Sequence, residues 1–209
     1  MRVAKSSESG TKVSALLLAG LLLTGAVACS DGSTDVELSS VQIFLTDAPS
    51  EIIASAEVWI SRVYLQGGSD GETEGGRVDL FNDPENPRWY DLLTLRDGVT
   101  ADLTGVVDVD VGLYNQLRLV VDSARVTLVD GVFFEDETNS ATLFVPSGST
   151  SGIKVLLDRD LEPVEGETTT LTVDFDVDQN FVIQGSQGPG GIQGIIFTPL
   201  LREHTRQES

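Results

Sequence analysis

The sequence predicts an all-β fold, a single Greek-key β-sandwich of immunoglobulin-like or similar type, on three observations. Runs of alternating apolar and polar residues recur about every 10–15 residues from Val41 to Leu201. No segment keeps a helical period over three turns. Asp130-Gly131 stands between two β-branched runs, the setting of a two-residue hairpin turn. Many short strands separated by turn residues belong to sandwiches and barrels.

An export signal precedes the first strand. Arg2, Lys5 and Lys12 make a positive n-region, Val13 to Leu23 an apolar run, and Gly25 to Ala28 a small-residue segment, the layout of a secretory signal peptide. The apolar run is shorter than the roughly 18 residues of a membrane span. Ala26-Val27-Ala28-Cys29 resembles the bacterial lipobox, with Ala26 where Leu is usual. Cleavage there leaves Cys29, the single cysteine, as a lipid-carrying N-terminus. The alternative is ordinary cleavage nearby, which leaves a free thiol, a liability in an oxidising compartment. Two or more acyl chains give stable anchoring. Ser30 after the cysteine resembles the outer-membrane sorting pattern, and without a twin-arginine pair the general secretory route is expected. The organisation read from the sequence is thus signal peptide 1–28, lipidated Cys29 and acidic tether 29–38, sandwich 39–202, and polar tail 203–209.

The strands follow in order. Residues 41–45 alternate as a half-buried strand does. In 56–66, Val58 and Ile60 share one parity and Val63 and Leu65 the other, so a bulge is expected near Ser61. Residues 67–76 are a Gly-rich loop and 77–81 a short strand. A helical turn is expected at 91–95. Further strands are read in 106–121, 124–134, 141–145, 152–157, 168–177, 181–185 and 194–201. Asp110-x-Gly112-x-Tyr114-x-Gln116 has the spacing of an immunoglobulin-type strand, with Gln116 in the cysteine position. Tyr114 is therefore read as a tyrosine corner, a structural role shared with Gly112.

Composition bounds the partners. The chain has 33 acidic and 13 basic residues and a formal charge of −20. Loss of residues 1–28 removes three basic residues and one acidic residue, leaving about −22 and a single lysine, Lys154. That surface repels nucleic acid, which needs clustered Lys and Arg. It attracts divalent cations; adaptation to salty water explains it equally well.

A set of motifs occurs in a fixed order: "TDAPS" (46–50), "YDLLTLRDG" (90–98), "VGLYNQLRLVV" (111–121), "LFVPSGSTSGIKVLL" (143–157), "TTTLTVDFDV" (168–177) and "FTPLLR" (197–202). The set resembles domain-of-unknown-function family 4382, a secreted or lipid-anchored bacterial and archaeal domain, over about residues 38–202. Thr198 departs from the basic residue usual before that proline. The resemblance implies a β-sandwich and brings no activity with it.

Chemistry-bearing candidates are few. The only histidine, His204, lies in the C-terminal polar segment, and Cys29 is assigned to lipid, which argues against Ser-His-Asp catalysis and His/Cys metal sites. A carboxylate-based hydrolase stays as a weak alternative. Asp174, Asp176 and Asp178 would share one face of a strand, a possible calcium site; the competing reading is a solvated strand face. Asp108 and Asp110 alternate in the same way. Asp47 is read first as an Asx-turn residue, and Arg118 as a structural cation paired with a carboxylate. Trp59, Trp89 and Tyr90 offer a stacking platform for sugars, against a default of core packing, with Trp59 facing outward by parity. The function expected is a non-catalytic binding or structural module of the cell envelope. It would be anchored to the membrane, expectedly the outer membrane, through its lipid, with polysaccharide or envelope-protein partners and no nucleic acid. A calcium-dependent adhesion or matrix module is the alternative.

Overall fold

A computed structural model describes residues 37–47, 50–67, 76–145, 151–185 and 191–209. The signal peptide, Cys29 and most of the acidic tether lie outside the described residues, as do parts of the Gly-rich loops. The strands are β1 (Leu38–Thr46), β2 (Ile53–Gly67), β3 (Arg77–Asn82), β4 (Arg88–Asp91), β5 (Ala101–Asp102), β6 (Val107–Asp110), β7 (Tyr114–Leu128), β8 (Ser140–Leu143), β9 (Ile153–Leu156), β10 (Thr168–Asp174), β11 (Phe181–Gly185), β12 (Ile192–Phe197) and β13 (Leu201–Glu208). A 3-10 turn spans Leu92–Leu95, and one short helix, α1, spans Val177–Asn180.

The fold is all-β, a curled mixed sheet with a second small sheet. The main sheet runs β3-β2-β7-β9-β13-β10-β1-β5, with β4 on β2, β6 on β1 and β8 on β7; β11 and β12 pair separately. The two 15-residue strands β2 and β7 organise it. Their first and second halves have different outer neighbours. The early half of β2 pairs with β4 and the late half with β3, while β7 pairs first with β9 and then with β8. The change of neighbour falls at the bulge expected near Ser61, where the β2–β7 register shifts between Trp59 and Arg62. Ser61 donates from its hydroxyl to Asp122 Oδ1 across the bulge at 2.8 Å, and its carbonyl accepts from Asp83 N at 2.9 Å. An extra residue bends and twists a strand, so one strand can pair with β4 along one half and β3 along the other.

Alternation supplies the core. Val58, Ile60, Val63 and Leu65 of β2, Leu117, Leu119, Val121, Ala124 and Val126 of β7, and Val41, Ile43 and Leu45 of β1 are all fully buried. Phe175 stacks on Phe197 with centroids 6.0 Å apart, and Phe197 on Phe181 at 4.9 Å. These rings seat the β11–β12 hairpin on the core.

Two expectations need correction. Asp130-Gly131 does form a turn, closed by Val132 N donating to Val129 O at 3.1 Å, with Gly131 at φ 84°. The arm that returns along β7 is β8, however, not residues 132–134. Apolar content at 132–134 marked a segment that is buried at Phe134 against the second sheet, through a bridge to Ile192. Residues 203–209 are not a tail: β13 lies between β9 and β10. Its polar sequence reflects an ion pair on its covered side, Arg206 to Glu203 at 2.8 Å, with the two side chains 6% and 5% exposed. The main sheet is mixed. β1 runs parallel to β10, and β13 parallel to β9.

Candidate functional site

Asp174, Asp176 and Asp178 do not share a strand face. β10 ends at Asp174, and the backbone turns left-handed at Asp176, φ 40°. Asp174 Oδ1 accepts from Asp176 N at 3.0 Å, and Asp176 caps α1 by accepting from Gln179 N at 3.2 Å. Asp178 is exposed on the helix. Two of the three carboxylates are thus engaged by local backbone N–H groups, the usual work of Asp at a helix start. Among the described residues no group of three or more His, Cys, Asp or Glu side chains is arranged to hold a metal ion.

The neighbouring Asp47 is buried, and its Oδ1 accepts from Val177 N at 2.8 Å, across 130 residues of sequence. It acts as a long-range clasp between the end of β1 and the start of α1, where the sequence suggested a local Asx turn. Asn180, fully buried, donates from Nδ2 to Asp176 O at 3.0 Å and to Leu200 O at 3.1 Å, and its Oδ1 accepts from Leu200 N. This end of the domain is a polar knot in which Asp47 Oδ1, the Asp174 and Asp176 carboxylates and the Asn180 amide take internal partners.

Tyr114 donates from its hydroxyl to Asp110 O at 2.9 Å. Burial, with the nearby Asp110 charge, raises its pKa above the ordinary phenol value. Gly112 lies in the bend between β6 and β7, beside a shallow surface hollow lined by Val111, Leu113 and Val164. Arg118 finds backbone rather than a carboxylate: Nη1 donates to Ser151 O at 3.1 Å and Gly152 O at 3.2 Å, and Nε to Gln116 Oε1 at 2.9 Å. It pins the segment entering β9 onto β7. Asp108 accepts from Ser40 Oγ at 3.0 Å across the β1–β6 pair. His204 is exposed on β13.

The functional candidates meet on the outward face of β4, β2, β7 and β8. Trp59 pairs with Trp89 across β2–β4 and with Ser123 across β2–β7. In the adjoining row Glu57 lies between Asp91 and Arg125. Directly opposite side chains on one face of a ladder are near neighbours, so the two indoles lie side by side. Trp89 is 52% exposed, and Trp59 is partly covered because the Arg125 guanidinium sits over its ring, 5.5 Å from the centroid. Arg125 Nε donates to Glu57 Oε2 at 2.5 Å, and Trp89 Nε1 donates to Glu57 Oε1 at 3.2 Å. Glu57 therefore ties Trp89 to the guanidinium that covers Trp59. The Arg125 hydrogen bond and charge, with help from Trp89, outweigh partial burial and hold the Glu57 carboxyl below its usual 4.5. Trp59 faces outward as its parity implies. Trp89, by default a core residue, is on the surface, while Tyr90 turns inward and donates to Asp102 O at 3.0 Å. Sequence reading missed Glu57 and Arg125. Glu57 has the parity of Trp59 and was within reach of that argument; Arg125 needed the β2–β7 register.

Fold and face together define an all-β domain with an aromatic, hydrogen-bonding platform on one sheet. The model of a family described as a domain of unknown function, DUF4382, matches residues 38–199, and the chain belongs to that family. Neither a curated protein nor a solved structure matches the chain.

Proposed function

We propose that this protein is a lipid-anchored module of the cell envelope that binds rather than transforms its partner, a polysaccharide or an envelope protein. Three sequence features support the anchor: the apolar run 13–23, the lipobox-like Ala26 to Cys29, and the sorting-type Ser30. The observation that carries the binding reading is the pair Trp59 and Trp89 on an outward sheet face, held by Glu57 and Arg125. Large aromatic side chains are normally drawn into a core. An indole left half-exposed and fixed by a hydrogen bond is suited to contact with a partner.

Co-sedimentation of a soluble 37–209 chain with isolated envelopes of the producing cell tests the binding reading. Retention of wild type that falls at least tenfold in the Trp59→Ala/Trp89→Ala variant is expected; equal retention of both removes this face from the function. For the anchor, the full chain should partition into detergent and incorporate labelled fatty acid, and Cys29→Ser should do neither.

A further inference from the structure

We infer that the ligand of this face is a neutral polysaccharide, bound by stacking of a sugar ring on Trp89 with its hydroxyls bridged by Glu57 and Arg125; the inference rests on the binding-module reading above. A pyranose ring has two chemistries, an apolar face of C–H groups and a rim of hydroxyls. The outward face of β4-β2-β7-β8 presents both side by side.

The apolar component is Trp89. It lies on β4, is half-exposed, and is held in orientation by its own Nε1–H on Glu57. C–H groups carry slight positive charge and pack well on the negative face of an indole. Fixing the ring beforehand lowers the ordering cost of binding. Trp59, under Arg125, is the inner wall of the platform rather than its open face.

The polar component is the Glu57–Arg125 pair one row further along the strands. Arg125 engages Glu57 through Nε, and its two Nη groups have no acceptor among the described residues. A guanidinium beside a carboxylate offers donors and acceptors together, which is what vicinal hydroxyls require. Beyond them the same face continues with Thr142 of β8, opposite Arg125. Four neighbouring strands make a strip about 14 Å across at the usual spacing of 4.7–4.9 Å, enough for a few sugar residues laid flat rather than one sugar in a pocket.

Charge decides the kind of polysaccharide. The site has a guanidinium balanced by a carboxylate, with Asp91 beside it on β4, in a chain of net charge −20. A polyuronate or sulfated polymer would meet repulsion from the whole surface without a cationic cluster to offset it. A neutral chain meets none.

Native gel electrophoresis of the 37–209 chain tests this, with neutral polymers cast in the gel (laminarin, mixed-linkage β-glucan, galactomannan) and polygalacturonate as the anionic probe. The expected result is retardation by at least one neutral polymer and none by polygalacturonate. Retardation should be lost in Trp89→Ala and weakened at least tenfold in Glu57→Gln. Trp89→Phe, which keeps a ring, should retain part of it, and a cooperative thermal melt of each variant would show that it folds. The inference is overturned if no neutral polymer retards the wild type, if Trp89→Ala is retarded equally, or if polygalacturonate binds as well. Loss of envelope co-sedimentation in the tryptophan variants, with no retardation by any neutral polymer, would leave the binding module standing and refute its glycan ligand. Failure of both assays would refute both.

Discussion

At the scale of single residues, the informative side chains are polar groups whose partners are remote in sequence. Asp47 is one. Its carboxylate takes the Val177 N–H from inside the protein, so Asp47→Ala leaves a buried donor without that acceptor. A loss of about 2–3 kcal/mol is expected, read as a shift of the urea midpoint with unchanged m-value. Glu57 is another. Its folded pKa is depressed, so its contribution to stability is present above the ordinary value of 4.5 and is lost as pH falls through the lower folded value. Protonation also breaks the charge pairing that holds Arg125 over Trp59. Tryptophan emission should therefore titrate below pH 4.5, and Glu57→Gln should abolish that step. The parity of Glu57 and Trp59 is legible in the string of residues. That an arginine 68 positions later completes the cluster is not.

Among the elements, β13 diverges most from expectation. As sequence it is a polar segment with the only histidine; as structure it fills the gap between β9 and β10. What holds its covered side is chemical: Arg206 donates to Glu203 and to the carbonyls of Arg159 and Asp160, both at 2.9 Å, and Glu203 accepts from Asp158 N at 3.0 Å. Glu203→Ala strands a nearly buried guanidinium and should cost about 3–5 kcal/mol by chemical denaturation. Truncation after Leu200 removes the strand altogether and exposes the edges of both neighbours. Its circular dichroism should show no cooperative melting. The bulge at Ser61 illustrates the opposite case. There the change of parity along β2 was readable locally, because each strand residue reports its own face.

For the molecule as a whole, charge is the dominant property. A net charge near −20 repels itself in the compact state, and salt screens that repulsion. Melting temperature should rise steadily with sodium chloride. Calcium and magnesium at equal ionic strength should give equal increments, since Asp174 and Asp176 are already occupied with backbone N–H groups. A calcium-specific increment lost in Asp176→Asn would return the acidic segment to the list of sites.

What the sequence determined by itself was the alternation: the all-β class, the approximate strands, the bulge in β2, the turn at 92–95 and the family. Those signals are local, because a period of two is written into each segment regardless of its neighbours. Only the tertiary structure decided which strand pairs with which. It set β10 beside β1, placed β13 inside the sheet, and returned β8 rather than residues 132–134 along β7. Pairing depends on register between segments far apart in the chain, and many registers satisfy the same alternation. The candidate site belongs to that second kind. Trp59, Trp89, Glu57 and Arg125 come from three strands, and the β2–β4 and β2–β7 registers make them one surface.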